Sequence, residues 1–188
     1  MAVTAPTIET ERLRLRAFDE SDAAAVQFYA DPDVMRFIPG GARDRASLES
    51  RFGAQVAAAR ELWSRDGFGM WAVELKNFGK VIGHCGLQHL PGSQDIEVFY
   101  LLDKPYWNQG IATEAAKAAL AFGFERAGLS RIVAIAMPDN VASQRVMQKA
   151  DMLYEGMAHH YGCDCVKYAL TREVGAKQKP ARANEGGN

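Results

Sequence analysis

Basic and apolar side chains alternate at Arg12, Leu13, Arg14, Leu15 and Arg16, the period-two pattern of a strand with one buried face. Beyond it, Asp19 and Asp22 supply caps for a helix through Ala30. The Asp31–Pro32 pair closes that helix, because a residue before proline is pushed out of helical geometry. After a polar Gly-Gly loop, residues 45–65 predict a longer amphipathic helix with Leu48, Phe52, Val56, Ala59 and Trp63 near one face. Residues 69–76 and 81–89 read as a hairpin around Asn77, Phe78 and Gly79, and residues 95–102 form another strand after the Pro91-Gly92-Ser93 turn. That strand runs into a glycine turn opening a helix over 111–127. A strand over 131–136, a helix from 140 to about 150, and closing strands near 153–160 and 165–170 complete the pattern. Strands that meander first and then alternate with helices predict a mixed α/β sheet with the glycine turn at its middle.

Composition narrows this picture. A chain of 188 residues with 48% hydrophobic content fits one domain with a real core, placed at residues 10–173 behind a short extension, residues 1–9. Residues 174–188 are polar and basic, lack apolar periodicity and cannot repay their ordering entropy, so a disordered tail is expected. A net charge of -1, from 22 basic and 23 acidic residues, gathers no polyanion and makes nucleic acid a poor partner. Three cysteines do not close into a disulfide set, the chain begins without a signal-peptide pattern, and no apolar run is long enough for a bilayer. Together these predict a soluble, cytoplasmic protein.

The candidate chemistry starts at residues 106–116, YWNQGIATEAA. A strand entering a tight glycine turn before a helix leaves unpaired N–H groups at a site of partial positive charge, where phosphate is welcome. A Walker loop is excluded, since neither a lysine nor a hydroxyl lies at the required offset from Gly110, and a dinucleotide fingerprint would need three glycines. What remains is a small-residue turn, Gly110 and Ala112, that lets backbone approach a diphosphate, or an ordinary helix start. About thirty residues on, NVASQRVMQKAD begins with Asn140, a good helix cap, and places Ser143 and Val146 three apart on one face.

These two stretches resemble the GNAT superfamily of acetyl-CoA-dependent N-acetyltransferases, and within it the RimJ/RimL-like branch. TERLRLR from Thr10, VIGHCGL from Val81, IEVFYLLDKPYWNQGIATEA from Ile96, NVASQRVMQKADM from Asn140 and the closing strand around Tyr168 carry the resemblance over nearly the whole chain. It implies the GNAT fold: a mixed, mostly antiparallel twisted sheet of about seven strands with a central splay, flanked by about four helices. It implies that the strand before the turn bulges, and that backbone groups at Tyr100, Leu101 and Leu102 pair with the pantetheine amides of the co-substrate. Trp107, Asn108, Gln109, Gly110, Ile111 and Ala112 would wrap the pyrophosphate, with Thr113 just inside the helix, while Asn140 would hold the pantetheine arm, Ser143 would sit near the thioester sulfur and Val146 would complete the cofactor-binding set. Four letters depart from the usual pattern. Trp107 and Asn108 stand at the start of the turn, Phe99 where this branch often carries glycine, and Asp151 where glycine commonly closes the helix. Asn108 and Asp151 are thereby expected in left-handed backbone geometry, which both residue types tolerate.

Acetyl transfer from a thioester requires a neutral amine. A lysine ammonium near 10.4 must give up roughly 3.4 units at pH 7, ~4.6 kcal/mol, whereas an α-amine near 7.8 gives up only ~1 kcal/mol, so a weak base suffices for the latter. Glu97 is the candidate base, acting through water, with Ile96 and Val98 facing the other way; pairing with a surface arginine is the plain structural alternative. Ser143 is the candidate stabiliser of the leaving sulfur. No cysteine is placed for a covalent intermediate, so direct attack in a ternary complex is expected, with no metal. The rival readings are a non-catalytic acyl-CoA-binding module and an α/β nucleotide-binding protein of another family. The acceptor, a protein N-terminus or a small-molecule amine, stays open, as does the homodimeric assembly common among such proteins. His159, His160, Cys163 and Cys165 invite a zinc reading, but they straddle a turn at Gly162. Cys85 reads as a buried hydrophobe, and His84 and His89 as candidates to line the substrate side. Trp63, Phe68, Trp71, Phe99 and Tyr100 are core residues or acceptor walls, and Arg36, Arg43 and Arg45 are candidate partners for an acidic acceptor.

Overall fold

The alternating arginines and leucines form β2 (Leu13–Arg16), with both leucines buried and both arginines half-buried. A computed structural model describes residues 5–173, so the tail expected at 174–188 lies outside the described residues. Ahead of β2, β1 (Ile8–Glu9) pairs antiparallel with it, so an eighth strand stands in the stretch that the sequence set apart as an extension. Two residues are too few for a periodic signal, and the pairing of Ile8 with Leu15 replaces it. The other strands are β3 (Met70–Leu75), β4 (Lys80–His89), β5 (Ile96–Leu102), β6 (Arg131–Ala136), β7 (Leu153–His160) and β8 (Cys163–Thr171). They form one sheet in the order β1-β2-β3-β4-β5-β6-β8-β7.

Every neighbouring pair is antiparallel except β5 and β6, which run parallel and share a single register pair, Glu97 with Val133. There the sheet splays. The β4–β5 ladder, by contrast, is unbroken from Gly83 with Leu102 to His89 with Ile96, so the expected bulge in β5 is not formed against this neighbour. Gly83 permits that approach, since a Cβ there would lie 2.2 Å from the Leu101 carbonyl oxygen.

The helices are α1 (Arg45–Asp66), α2 (Ile111–Glu125) and α3 (Val141–Lys149). The helix expected up to Ala30 is a 3-10 helix, Glu20–Ala30, capped by Asp19 and Asp22 in a reciprocal box. Its buried Asp22 and Phe28 lie six positions apart, two full turns of a three-residue repeat, and Arg16 ties Asp22 in place by a forked contact at 2.7 and 2.8 Å. Val26, Phe28, Phe52 and Val56 join the 3-10 helix to α1. The main core lies under α2, where Trp63, Trp71 and Phe122 meet edge to face at centroid distances of 4.7, 5.0 and 5.6 Å. Such pairs contribute about 0.5–1.5 kcal/mol each beyond the area they bury, so these tryptophans are core residues and not acceptor walls.

Candidate active site

The splay between β5 and β6 opens into a cavity of about 530 Å³. Its walls are β5, the glycine turn with the first turn of α2, one face of α3, the β7–β8 hairpin and the segment from Asp33 to Pro39. Glu97, Tyr100, Leu101, Leu102, Trp107, Asn108, Gly110, Ile111, Ala112, Thr113, Asn140, Ser143 and Val146 all line it. Gln109 does not: its side-chain amide donates to the Pro105 carbonyl at 2.8 Å, and its own carbonyl accepts from Arg12 Nη1 at 2.8 Å.

Gly110 sits at the N-terminal cap of α2 with φ 75 and caps it with no side chain, so the helix presents backbone N–H groups toward the cavity wall. Asn108 is left-handed at φ 61, and Asp151 at φ 64 ends α3, both as read from the sequence. Trp107 fastens the turn to the strand before it, its indole N–H donating to the Leu102 carbonyl at 2.8 Å. That carbonyl, expected to await the pantetheine, is thus already engaged. A clasp the sequence reading missed holds the turn from behind. Thr10 Oγ1, the Arg12 amide and Arg12 Nε reach Glu114 at 2.6, 2.9 and 2.7 Å, and against the opposing effect of burial these bonds hold the Glu114 carboxyl below its usual range.

Glu97 is 2% exposed and pairs with no arginine among the described residues; instead Tyr161 O–H and Gln88 Nε2 donate to its Oε2 at 2.9 and 3.1 Å. Gln88 also donates to the Tyr161 oxygen at 3.2 Å, closing a triangle. Burial pushes the Glu97 carboxyl up, while the two hydrogen bonds pull it part of the way back. The Tyr161 phenol is raised by burial and by the neighbouring Glu97 charge, so it stays a proton donor. Ile96 and Val98 turn into the core, as alternation requires.

Tyr161 is a site residue that the sequence reading did not single out. Tyr161 and Gly162, at φ 53 and 77, connect the register pair His160 and Cys163, the two-residue turn in which both positions have positive φ. Asparagine or glycine is usual at the first position, and tyrosine costs about 1–2 kcal/mol there. A bulky residue in that turn was the available signal.

On α3, Asn140 Oδ1 accepts from the Ser143 amide at 3.1 Å, an N-cap. Ser143 is bound on its hydroxyl side: the Tyr100 phenol donates to its carbonyl at 3.1 Å and contacts its Oγ at 2.9 Å. This pair bridges β5 and α3 across the splay, so Tyr100 contributes its side chain as well as its backbone.

The remaining candidates divide. Cys163 and Cys165 also line the cavity, and β8 starts at Cys163, two residues before the expected start of the strand. His159 pairs with Asp164 at 2.9 Å, and no group of three or more His, Cys, Asp or Glu among the described residues is arranged to hold a metal ion. His84 is buried, stacked between Tyr29 and Phe99, and accepts or donates at 2.6 Å with the Tyr29 hydroxyl; burial pulls its pKa down to about 4. His89 pairs with Asp66 at 3.3 Å, and neither histidine lines the cavity. Phe99 and Arg36 do line it, whereas Arg43 stacks on Tyr29 and Arg45 begins α1. No helix among the described residues is long and apolar enough to cross a membrane.

Residues 12–153 match the family described as the Acetyltransferase (GNAT) domain. The uncharacterized N-acetyltransferase YnaD of Bacillus subtilis is 33% identical over 150 residues, 79% of this chain and 84% of YnaD. Among solved structures, an acetyltransferase (GNAT family) from Bacillus anthracis is 31% identical with a TM-score of 0.75, covering 89% of this chain and 99% of its own. Mycobacterium smegmatis RimJ, solved with CoA-disulfide, superposes with a TM-score of 0.72 at 22% identity, over 86% of this chain and 82% of its own, and so shares the fold.

Proposed function

Since the chain belongs to the acetyltransferase (GNAT) family and is an N-acetyltransferase, we propose that it moves acetyl from acetyl-CoA to a primary amine by direct attack in a ternary complex. The observation that carries this reading is the convergence of Glu97, the glycine turn and the α3 face on one cavity at the splay. The residues present fit the co-substrate. Past Glu97, β5 has no further register partner on β6, so strand backbone borders the cavity there, and the uncapped start of α2 supplies N–H donors for a diphosphate. Gly110, Ile111, Ala112 and Thr113 would hold the diphosphate, with Trp107 and Asn108 shaping the turn. Tyr100, Leu101, Asn140 and Val146 would hold the pantetheine arm.

The thioester supplies an activated acyl carbon; what the chain supplies is position and a proton path. Glu97 accepts the ammonium proton through water at Oε1, which receives no hydrogen bond from a described residue, while Tyr161 and Gln88 fix Oε2. Burial moves this carboxyl toward the pKa of an α-amine, which favours α-amines over lysine side chains as acceptors. Ser143, its hydroxyl in contact with the Tyr100 phenol, would stabilise the leaving sulfur. An acceptor with an α-amine, on a protein N-terminus or a small molecule, agrees with the RimJ/RimL-like branch. Three free cysteines agree with a reducing cytoplasm.

The test is thiol release from acetyl-CoA over a panel of peptides with different first residues and of small amines, with Glu97→Gln and Ser143→Ala beside the native enzyme. Glu97→Gln is expected to lower kcat by about 10²-fold or more with acetyl-CoA affinity nearly intact, and Ser143→Ala to lower kcat more modestly. Native turnover in Glu97→Gln across the pH range would remove Glu97 from the mechanism. Failure of every amine to accelerate thiol release would refute the transfer itself.

A further inference from the structure

Cys163 and Cys165 stand two residues apart in β8, so their side chains share one face, and that face is the cavity wall. Their sulfurs are 3.7 Å apart. Strand geometry sets their Cα atoms about 6.6 Å apart, at the long end of the roughly 4.4–6.8 Å that a disulfide spans, and parallel Cα–Cβ bonds hold the Cβ atoms wider than the roughly 3.5–4.5 Å a bridge needs, so closing it requires the start of β8, beside the turn, to pucker. The two also differ in reach. Cys163 is half-buried and hydrogen-bonds the His160 carbonyl at the hairpin end, while Cys165 is 3% exposed and lies behind it. Cys85, the other cysteine, is buried in β4 and does not line the cavity.

We propose that Cys163 and Cys165 form a dithiol switch in the cavity wall, oxidised by low-molecular-weight disulfides to an intramolecular disulfide. Cys163, after losing its proton to water, attacks one sulfur of the small disulfide; a mixed disulfide forms and one small thiolate leaves and is protonated. Cys165 then loses its proton and its sulfur attacks Cys163 Sγ, releasing the second small thiol. Both protein thiols are oxidised, and one disulfide is reduced to two thiols. Burial pushes the Cys165 thiol up, which disfavours its thiolate, but the short separation of the sulfurs offsets this by effective concentration. A bridge at the long end of the allowed span is strained and so readily reduced again, the property of a regulatory disulfide and not a structural one. The chemistry stands on the thiol geometry alone, whereas its effect on turnover rests on the acetyl-transfer reading.

The test incubates the full chain with oxidised glutathione and, separately, with coenzyme A disulfide, followed by alkylation and tryptic mass mapping without reductant. No Lys or Arg lies between Lys149 and Lys167, so both cysteines fall on one peptide, residues 150–167, apart from Cys85. The expected result is loss of two hydrogens on that peptide, a severalfold fall in thiol release from acetyl-CoA, and recovery of both with dithiothreitol. Cys165→Ala should halt at the mixed disulfide on Cys163. Intact thiols on the native peptide, oxidation through Cys85 instead, or an oxidised protein with undiminished turnover would each overturn the proposal. If the untreated protein transfers no acetyl group, the transfer reading fails, and the mass mapping still decides the thiol chemistry.

Discussion

Tyr161→Phe isolates what the triangle of Gln88, Glu97 and Tyr161 does. Phenylalanine keeps the ring and the turn and removes only the O–H that donates to Glu97 Oε2 at 2.9 Å. A hydrogen bond to a charged group contributes about 1.5–3 kcal/mol, but Tyr161 is 40% exposed, so water replaces part of it. Taking roughly half leaves about 1 kcal/mol of lost carboxylate stabilisation, or about 0.7 units at 1.36 kcal/mol per unit. The sign follows from the lost bond, which favoured the ionised carboxyl: the Glu97 pKa, already raised by burial, rises further. A base works only when deprotonated, so activity on the acid side is lost at higher pH than in the native enzyme. The assay is kcat/KM for thiol release against pH, with melting temperature as the check on folding. The acid limb should move up by about 0.5–1 unit, and Gln88→Ala, which removes the second donor to Oε2, should move it the same way. A limb that stays in place, or moves to lower pH, in folded variants would show that this carboxyl is not the titrating base.

Further outcomes follow from the same geometry. Because burial holds the Glu97 carboxyl above its ordinary pKa, its ionised form weakens the fold at neutral pH. Glu97→Gln should therefore raise the melting temperature near pH 7, a gain that disappears as pH falls through the ordinary carboxylate range where Glu97 is protonated in both folded and unfolded chains. Direct attack predicts intersecting initial-velocity lines when acetyl-CoA and amine are varied together; parallel lines would instead place the acetyl group on the enzyme before transfer, with the half-buried Cys163 the more accessible of the two thiols lining the cavity. Gly83→Ala puts a Cβ at 2.2 Å from the Leu101 carbonyl oxygen and should cost about 1–3 kcal/mol, a fall of several degrees in thermal denaturation, and a native melting temperature would contradict that packing.

What the sequence made legible were features whose cause is local. Gly110 is read from the angles a tight turn needs, the left-handed Asn108 and Asp151 from their places in the resemblance, and Glu97 on the face opposite Ile96 and Val98 from period-two alternation on β5. The parts it concealed depend on the order of strands in space. Tyr161 lies 64 residues from Glu97 and meets it only because the β7–β8 hairpin folds its turn back over the splay that β6 leaves beside β5. Arg12 and Glu114, 102 residues apart, likewise meet because α2 crosses back behind β2 to pack near the start of the sheet. The start of β8 was hidden likewise: a strand expected near 165–170 omitted Cys163, whose pairing with His160 draws it into β8 beside the cavity.

The concealed residues are not without local marks, however. Tyr161 occupies a left-handed position that costs about 1–2 kcal/mol, a strain glycine would relieve, and strain of this kind persists where the surrounding structure uses it. Here the strained backbone delivers a phenol to a buried carboxylate that pairs with no cation among the described residues. Burial raises this carboxyl and the phenol opposes that rise, so the turn that breaks the local rule supplies, beside Gln88, one of the two hydrogen bonds that favour the ionised form of the proposed base.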